Sequence, residues 1–268
     1  MVVSIPGFSP RLTAGSGQCF RFIERAPGEF SLAAGERRLI LREKGGDRFE
    51  LSCGEGEYEA YWRAYLDADT DYDAFDALVP HDGSFLRRSA DFARGLRILR
   101  QEPFETLVSF IISQRKNLGG IRTCVERLCE AFGRETEPGF FAFPTPATLA
   151  SASREELLAC GLGYRAEYVR RSAGMVARGD VDLEALQDMG DAEAMEQLLR
   201  LPGVGVKVAS CVLLFAYHRL DAFPVDVWIE RVLRSEYPNG FPFALYPGAA
   251  GVLQQQMFCY ARHLDIKG

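Results

Sequence analysis

The sequence predicts an α+β protein, with a small antiparallel sheet at its N-terminus and an all-helical body behind it. Three observations lead there. Residues 18–53 hold four β-rich runs, CFRFIE, FSLAA, RRLILRE and RFELSC, separated by the turn signals Pro27-Gly28, Gly35 and Gly45-Gly46. From Glu57 onward the apolar spacing becomes helical: Tyr58, Tyr61, Trp62 and Tyr65 stripe one helix, and Phe104, Leu107, Val108, Ile111 and Ile112 stripe another. Near residue 200, two helical runs meet at Pro202, Gly203 and Gly205, which predicts a helical hairpin.

Taken in order, residues 1–56 form the β-rich domain, with part of the next helical region packed on it. Residues 57–268 form the helical domain, with the hairpin at 192–217. Further helices are expected at 84–99, 118–132, 155–160, 165–177, 192–199 and 249–263, and a loop at 138–146. With 268 residues, 47% of them hydrophobic, the chain can bury a substantial core.

Composition excludes several classes. No apolar run approaches the roughly 18 residues needed to cross a membrane, and MVVSIPGFSPRL is not a leader, so the chain reads as cytosolic. Seven scattered cysteines without a CxxC pair read as reduced thiols. His81, His218 and His263 and the carboxylates show no metal-ligand spacing.

The net charge of −6 argues weakly against nucleic acid, but its distribution matters more. Residues 55–80 hold eight acids and one Arg, net −7, whereas 81–134 hold ten basic residues and six acids, net +4. An acidic face and a basic face follow.

The chemistry concentrates after the hairpin. Gly203 and Gly205 leave backbone amides free to hold a phosphate. Lys207 falls in the first turn of the next helix, where the macrodipole disfavours a cation and favours the neutral, nucleophilic amine. Cys211 lies at i+4 from Lys207 and shares its face. Asp226 precedes the apolar run Val227, Trp228, Ile229, Val232 and Leu233, the position of an N-cap. Taken singly, each has an ordinary reading: a solvated lysine, a capping aspartate, a buried small thiol.

The hairpin L-P-G-V-G-x-K, followed 19 residues later by the Asp of P-V-D-V, resembles the bifunctional helix-hairpin-helix DNA glycosylases. GSGQCFRF at 15–22, RILRQEPFETLVSFIISQ and GLGYRAEYV extend the resemblance over nearly the whole chain, to the 8-oxoguanine DNA glycosylase/AP lyases. That resemblance implies Lys207 as the nucleophile and Asp226 as its support. It implies a lesion pocket of the Gly17 carbonyl, a Cys211/Phe258 sandwich and Gln254 at the Watson–Crick edge; Gln254 and Phe258 share a helical face at i, i+4. DNA contacts are implied at Gly203, Gly205, Val227 and Trp228, with Tyr164 as a wedge, Arg165 at the opposite cytosine and Asn117 in the strand-reading loop. Arg115 and Lys116 stand where the family shows Asn, Gly120 where it shows Arg, and Trp228 where a phosphate-contacting His is usual. The partner implied is double-stranded DNA containing an oxidised purine, bound by a monomer away from membranes. No cofactor is implied, and Cys259 alone near the C-terminus speaks against an iron-sulfur cluster. The Leu199, Leu201 and Val204 carbonyls are implied as a monovalent-cation site. Two alternatives stay open: an alkylated-base (3-methyladenine) glycosylase, which typically lacks the Lys, and a non-catalytic helix-hairpin-helix DNA-binding module.

Overall fold

The computed structural model describes residues 1–265. Its N-terminal sheet is fully antiparallel, with strands β1 (Val2–Ser4), β2 (Phe22–Ala26), β3 (Glu29–Ala34), β4 (Arg37–Glu43) and β5 (Arg48–Leu51) in the order β1-β5-β4-β3-β2. Strand β1 was not anticipated, because three residues are too few for alternation to register; it pairs Val2 with Glu50.

Pairing Phe22 with Leu32, Leu32 with Leu39 and Phe30 with Leu41 sets these side chains on one buried face. Tyr58, Trp62 and Tyr65 cover that face, so the aromatic stripe belongs to the sheet's core. The helical segment that carries it includes a π turn at Tyr58–Trp62. Each such buried side chain contributes roughly 1.5–3 kcal/mol.

The body contains the expected helices Leu118–Phe132, Arg154–Ala159, Arg165–Ala177, Asp191–Leu199 and Ala250–His263. Two expectations are corrected. The helix expected at 84–99 stops at Phe92; beyond it Gly95 has φ +89° and packs so closely on the Gly7 carbonyl that no side chain fits there. The loop at 138–146 begins with part of a small hairpin, in which Glu135–Glu137 pairs with Phe140–Phe141.

The sheet layer is tied to the body beside the hairpin. Asp67 lies 3.2 Å from His218 Nε2, just beyond the helix Val206–Phe215, and accepts from Tyr72 and Arg100. Burial pushes the Asp67 carboxyl upward, but these partners outweigh it and hold it at about 2. Among the described residues no helix is long and apolar enough to cross a membrane.

Candidate active site

The hairpin is built by close approach. Gly203 has φ +79°, and a Cβ there would lie 2.7 Å from the Tyr168 ring. Ser172 Oγ donates to the Pro202 carbonyl at 2.8 Å, and Gln114 Nε2 donates to the Gly203 carbonyl at 2.9 Å. The turn is thereby fixed against the helix Arg165–Ala177 and the loop after the helix Pro103–Ser113. Gly205 caps Val206–Phe215 without a side-chain bond and has open space around it, so the first amides of that helix face outward.

Lys207 is half-buried, its ammonium 4.9 Å from the centroid of the Phe110 ring. Phe110 stacks on Phe215 at 5.4 Å and meets Phe20 edge-on at 5.5 Å, an aromatic floor that limits where the lysine can go. Cys211, one turn on, is 2% exposed. Burial pushes its thiol pKa up and Asp226 adds to the rise, while the charge of Lys207 and its hydrogen bond oppose it. Asp226 caps the helix Val227–Glu236, its Oδ1 accepting from Trp228 N and Ile229 N at 3.0 Å each. Both capping bonds use one oxygen; Oδ2 is the one the cap does not engage.

The loop that presents Gly17 is held as firmly. Gln18 is fully buried, donates to Ser16 Oγ and the Arg97 carbonyl, and accepts from Leu99 N. Arg122 and Arg262 donate to the carbonyls of Ala14 and Gly15. Gly17 has φ +76°, and a Cβ there would press on Leu118 at 3.2 Å and Phe258 at 3.5 Å.

These pieces converge. A pocket of about 40 Å³ is lined by Gly17, Lys207, Cys211, Asp226, Gln254 and Phe258, together with Ser16, Pro224 and Gln255. It adjoins a cleft of about 710 Å³ lined by Arg115, Lys116, Asn117, Lys207, Asp226, Val227, Trp228, Phe258 and Arg262. Four cations and one carboxylate face that cleft, which suits a polyanion. Val206, Val227 and Tyr164 near it are 66%, 60% and 53% exposed.

The strand-reading loop is placed as follows. Arg115 is exposed at its apex with φ +52°. Lys116 reaches the Gly161 carbonyl at 3.2 Å, its stem lying where any Cβ at Gly120 would approach to 3.0 Å. Asn117 caps the helix Leu118–Phe132. Arg165, expected at the opposite base, is engaged by the chain itself. The residue is 6% exposed, and its guanidinium donates to the carbonyls of Gln114 and Leu162, bracing the loop from behind. At the hairpin, the Leu201 carbonyl accepts from Val204 N at 3.1 Å; Leu199 is 40% exposed and Val204 is buried. Phe110, Gln255 and Arg262 escaped the sequence reading: Phe110 sits within an apolar run that reads as core, and the other two carry no motif.

Among the described residues, no group of three or more His, Cys, Asp or Glu could hold a metal ion, and all seven cysteines are free.

A hairpin that presents amides, a lysine and aspartate in one pocket and a cationic cleft define a helix-hairpin-helix base-excision DNA repair protein. Residues 2–107 match the N-terminal domain model of 8-oxoguanine DNA glycosylase, and 108–238 match the helix-hairpin-helix GPD superfamily of base excision repair proteins. The boundary between the two falls inside the helix Pro103–Ser113. The chain belongs to the 8-oxoguanine DNA glycosylase family of that superfamily.

The solved structure of MBOgg1 with a low-affinity DNA ligand is 31% identical, with a TM-score of 0.92 over 98% of this chain and 96% of that one. The 8-oxoguanine glycosylase/lyase of Clostridium acetobutylicum, in complex with double-stranded DNA containing cytosine opposite 8-oxoguanine, is 30% identical, with a TM-score of 0.90 over 99% of both chains. A probable N-glycosylase/DNA lyase of Methanothermobacter thermautotrophicus is 32% identical over 64% of this chain and 62% of its own length. The chain spans less than two thirds of the length of the curated relatives it matches first. A 3-methyladenine glycosylase of Archaeoglobus fulgidus, 21% identical with a TM-score of 0.77, shares the fold.

Proposed function

We propose that this chain is a bifunctional DNA glycosylase and AP lyase that excises 8-oxoguanine from duplex DNA and then cuts the strand. The observation that carries this reading is the meeting of Lys207, Asp226, Cys211, Gln254, Phe258 and Gly17 at one pocket beside a cationic cleft. The names of the relatives, N-glycosylase/DNA lyase and 8-oxoguanine glycosylase/lyase, support it. Lys207 speaks against the alkylated-base alternative, and the pocket against a purely binding module.

In this reading the hairpin amides and the cleft cations hold the phosphates, Tyr164 enters the stack, and the damaged nucleotide is extruded at a cost of a few kcal/mol. A pocket of about 40 Å³ has room for little more than one water, so it widens as the base slides between Cys211 and Phe258. Gln254 meets the Watson–Crick edge. The Gly17 carbonyl accepts the N7 hydrogen, which normal guanine lacks. Once its ammonium has given a proton to water in the cleft, the Lys207 amine attacks C1′, the C1′–N9 electron pair leaves with the base, and Asp226 stabilises the cationic sugar. Loss of the ring oxygen's bond to C1′ yields a Schiff base. Removal of a C2′ proton from that imine expels the 3′ phosphate.

Borohydride reduction of a reaction with an 8-oxoguanine:cytosine duplex is expected to trap a covalent protein–DNA adduct. Trapping with an abasic duplex but not with the lesion would keep the lyase and overturn the lesion assignment. Trapping with neither would overturn the covalent mechanism.

No organic cofactor enters this chemistry. We further propose that a structural monovalent cation steadies the hairpin, since the carbonyls of Leu199, Leu201 and Val204 are the hard oxygen donors it takes. Replacing choline with potassium at constant ionic strength is expected to raise the Tm by a few degrees; an unchanged Tm sinks the idea. One chain supplies every pocket residue, so a monomer suffices, and its place is with chromosomal DNA.

A further inference from the structure

The inner pocket contains one polar group that the reaction above leaves unused. Gln255 is 5% exposed and lines the pocket beside Gln254. Its Nε2 donates to Gln254 Oε1 at 3.0 Å, whereas its own Oε1 is buried and has no hydrogen-bond partner among the described residues. Gln254 Nε2 is in turn committed to the Pro224 carbonyl at 2.8 Å. Each of the two amide nitrogens spends one N–H on the protein and keeps one, and the pair also has two open acceptors. One is the second lone pair of Gln254 Oε1, and the other is the unpaired Gln255 Oε1.

Two neighbouring acceptors complement two neighbouring donors. On the edge of a guanine-type base these are N1–H and the exocyclic 2-amino group; an adenine-type edge has an acceptor at N1 and nothing at C2. We infer that Gln255 is a second reader of the lesion: its Oε1 accepts from the 2-amino group while Gln254 Oε1 accepts from N1–H. The inference rests on the 8-oxoguanine reading and deepens it, making the 2-amino group a recognised feature in addition to the N7 hydrogen. A base without that group leaves the Gln255 oxygen as unpaired as it is in the free protein and forgoes the hydrogen bond that the 2-amino group supplies.

The matched probe is 8-oxohypoxanthine, which keeps the 8-oxo group, N7–H and N1–H and lacks only the 2-amino group. Single-turnover excision opposite cytosine is expected to favour 8-oxoguanine over 8-oxohypoxanthine by about 10- to 100-fold in the wild-type protein. In Gln255→Met the preference should fall to within about 3-fold, through slower excision of 8-oxoguanine alone. Borohydride trapping of Gln255→Met on an abasic duplex, which presents no base to read, supplies the rate to which both excision rates are normalised. Equal wild-type rates on the two lesions overturn the inference without any variant, and so does a preference that survives in Gln255→Met. A merely structural role would slow both lesions alike, which also overturns it. Wild-type protein that traps on abasic DNA and ignores 8-oxoguanine would instead strike the underlying functional reading.

Discussion

Lys207→Gln is expected to lower both base excision and strand cleavage by at least about 10³-fold, equivalent to roughly 4 kcal/mol of lost transition-state stabilisation. Glutamine nearly matches lysine in reach and fills the same space over Phe110, but its amide nitrogen has no lone pair to attack C1′. Duplex binding should change little by comparison, because Lys207 is one of four cations on the cleft and the hairpin amides are untouched. The measurement is single-turnover excision and abasic-site cleavage beside a binding titration at fixed salt. A variant that still excises the base but no longer cuts would assign the glycosylase step to water, and Lys207 to the lyase step alone. A variant active in both would remove Lys207 from the chemistry.

The prominence of Lys207 also explains what the sequence made legible. Motifs with rigid spacing transferred well: Pro202, Gly203 and Gly205 turn the chain, the i+4 interval carries Cys211 to the lysine's face, and Asp226 stands at the start of its helix. The four longer strands were legible because one face of the sheet is buried, which imposes alternation. What escaped depended on contacts distant in sequence. The helix ends at Phe92 and the chain turns at Gly95 with φ +89°, packed against the distant Gly7 carbonyl, a contact that nothing in the local pattern reports. Resemblance places Arg165 at the opposite cytosine, and no local pattern reports that its guanidinium donates to the carbonyls of Gln114 and Leu162. Gln255 is one of three consecutive glutamines, and only the packing of the helix Ala250–His263 decides that it joins Gln254 at the pocket while Gln256 turns to Asp76.

Asp226 combines two roles that substitution can separate. Asn caps a helix about as well as Asp, so Asp226→Asn should keep the bonds to Trp228 N and Ile229 N and leave stability within a few tenths of a kcal/mol. Asp226→Ala loses both bonds and should cost about 1–2 kcal/mol, a fall of several degrees in Tm for a chain of this size. Base excision, by contrast, should drop about 10²- to 10⁴-fold in both variants, since neither carries the negative charge that faces the developing sugar cation. The abasic aldehyde passes through no such cation before it meets Lys207. Trapping on an abasic duplex should therefore fall less than excision does. Equal losses in the two assays would shift the role of Asp226 from stabilising the sugar to preparing the amine of Lys207. Full excision by Asp226→Asn would reduce the residue to a helix cap.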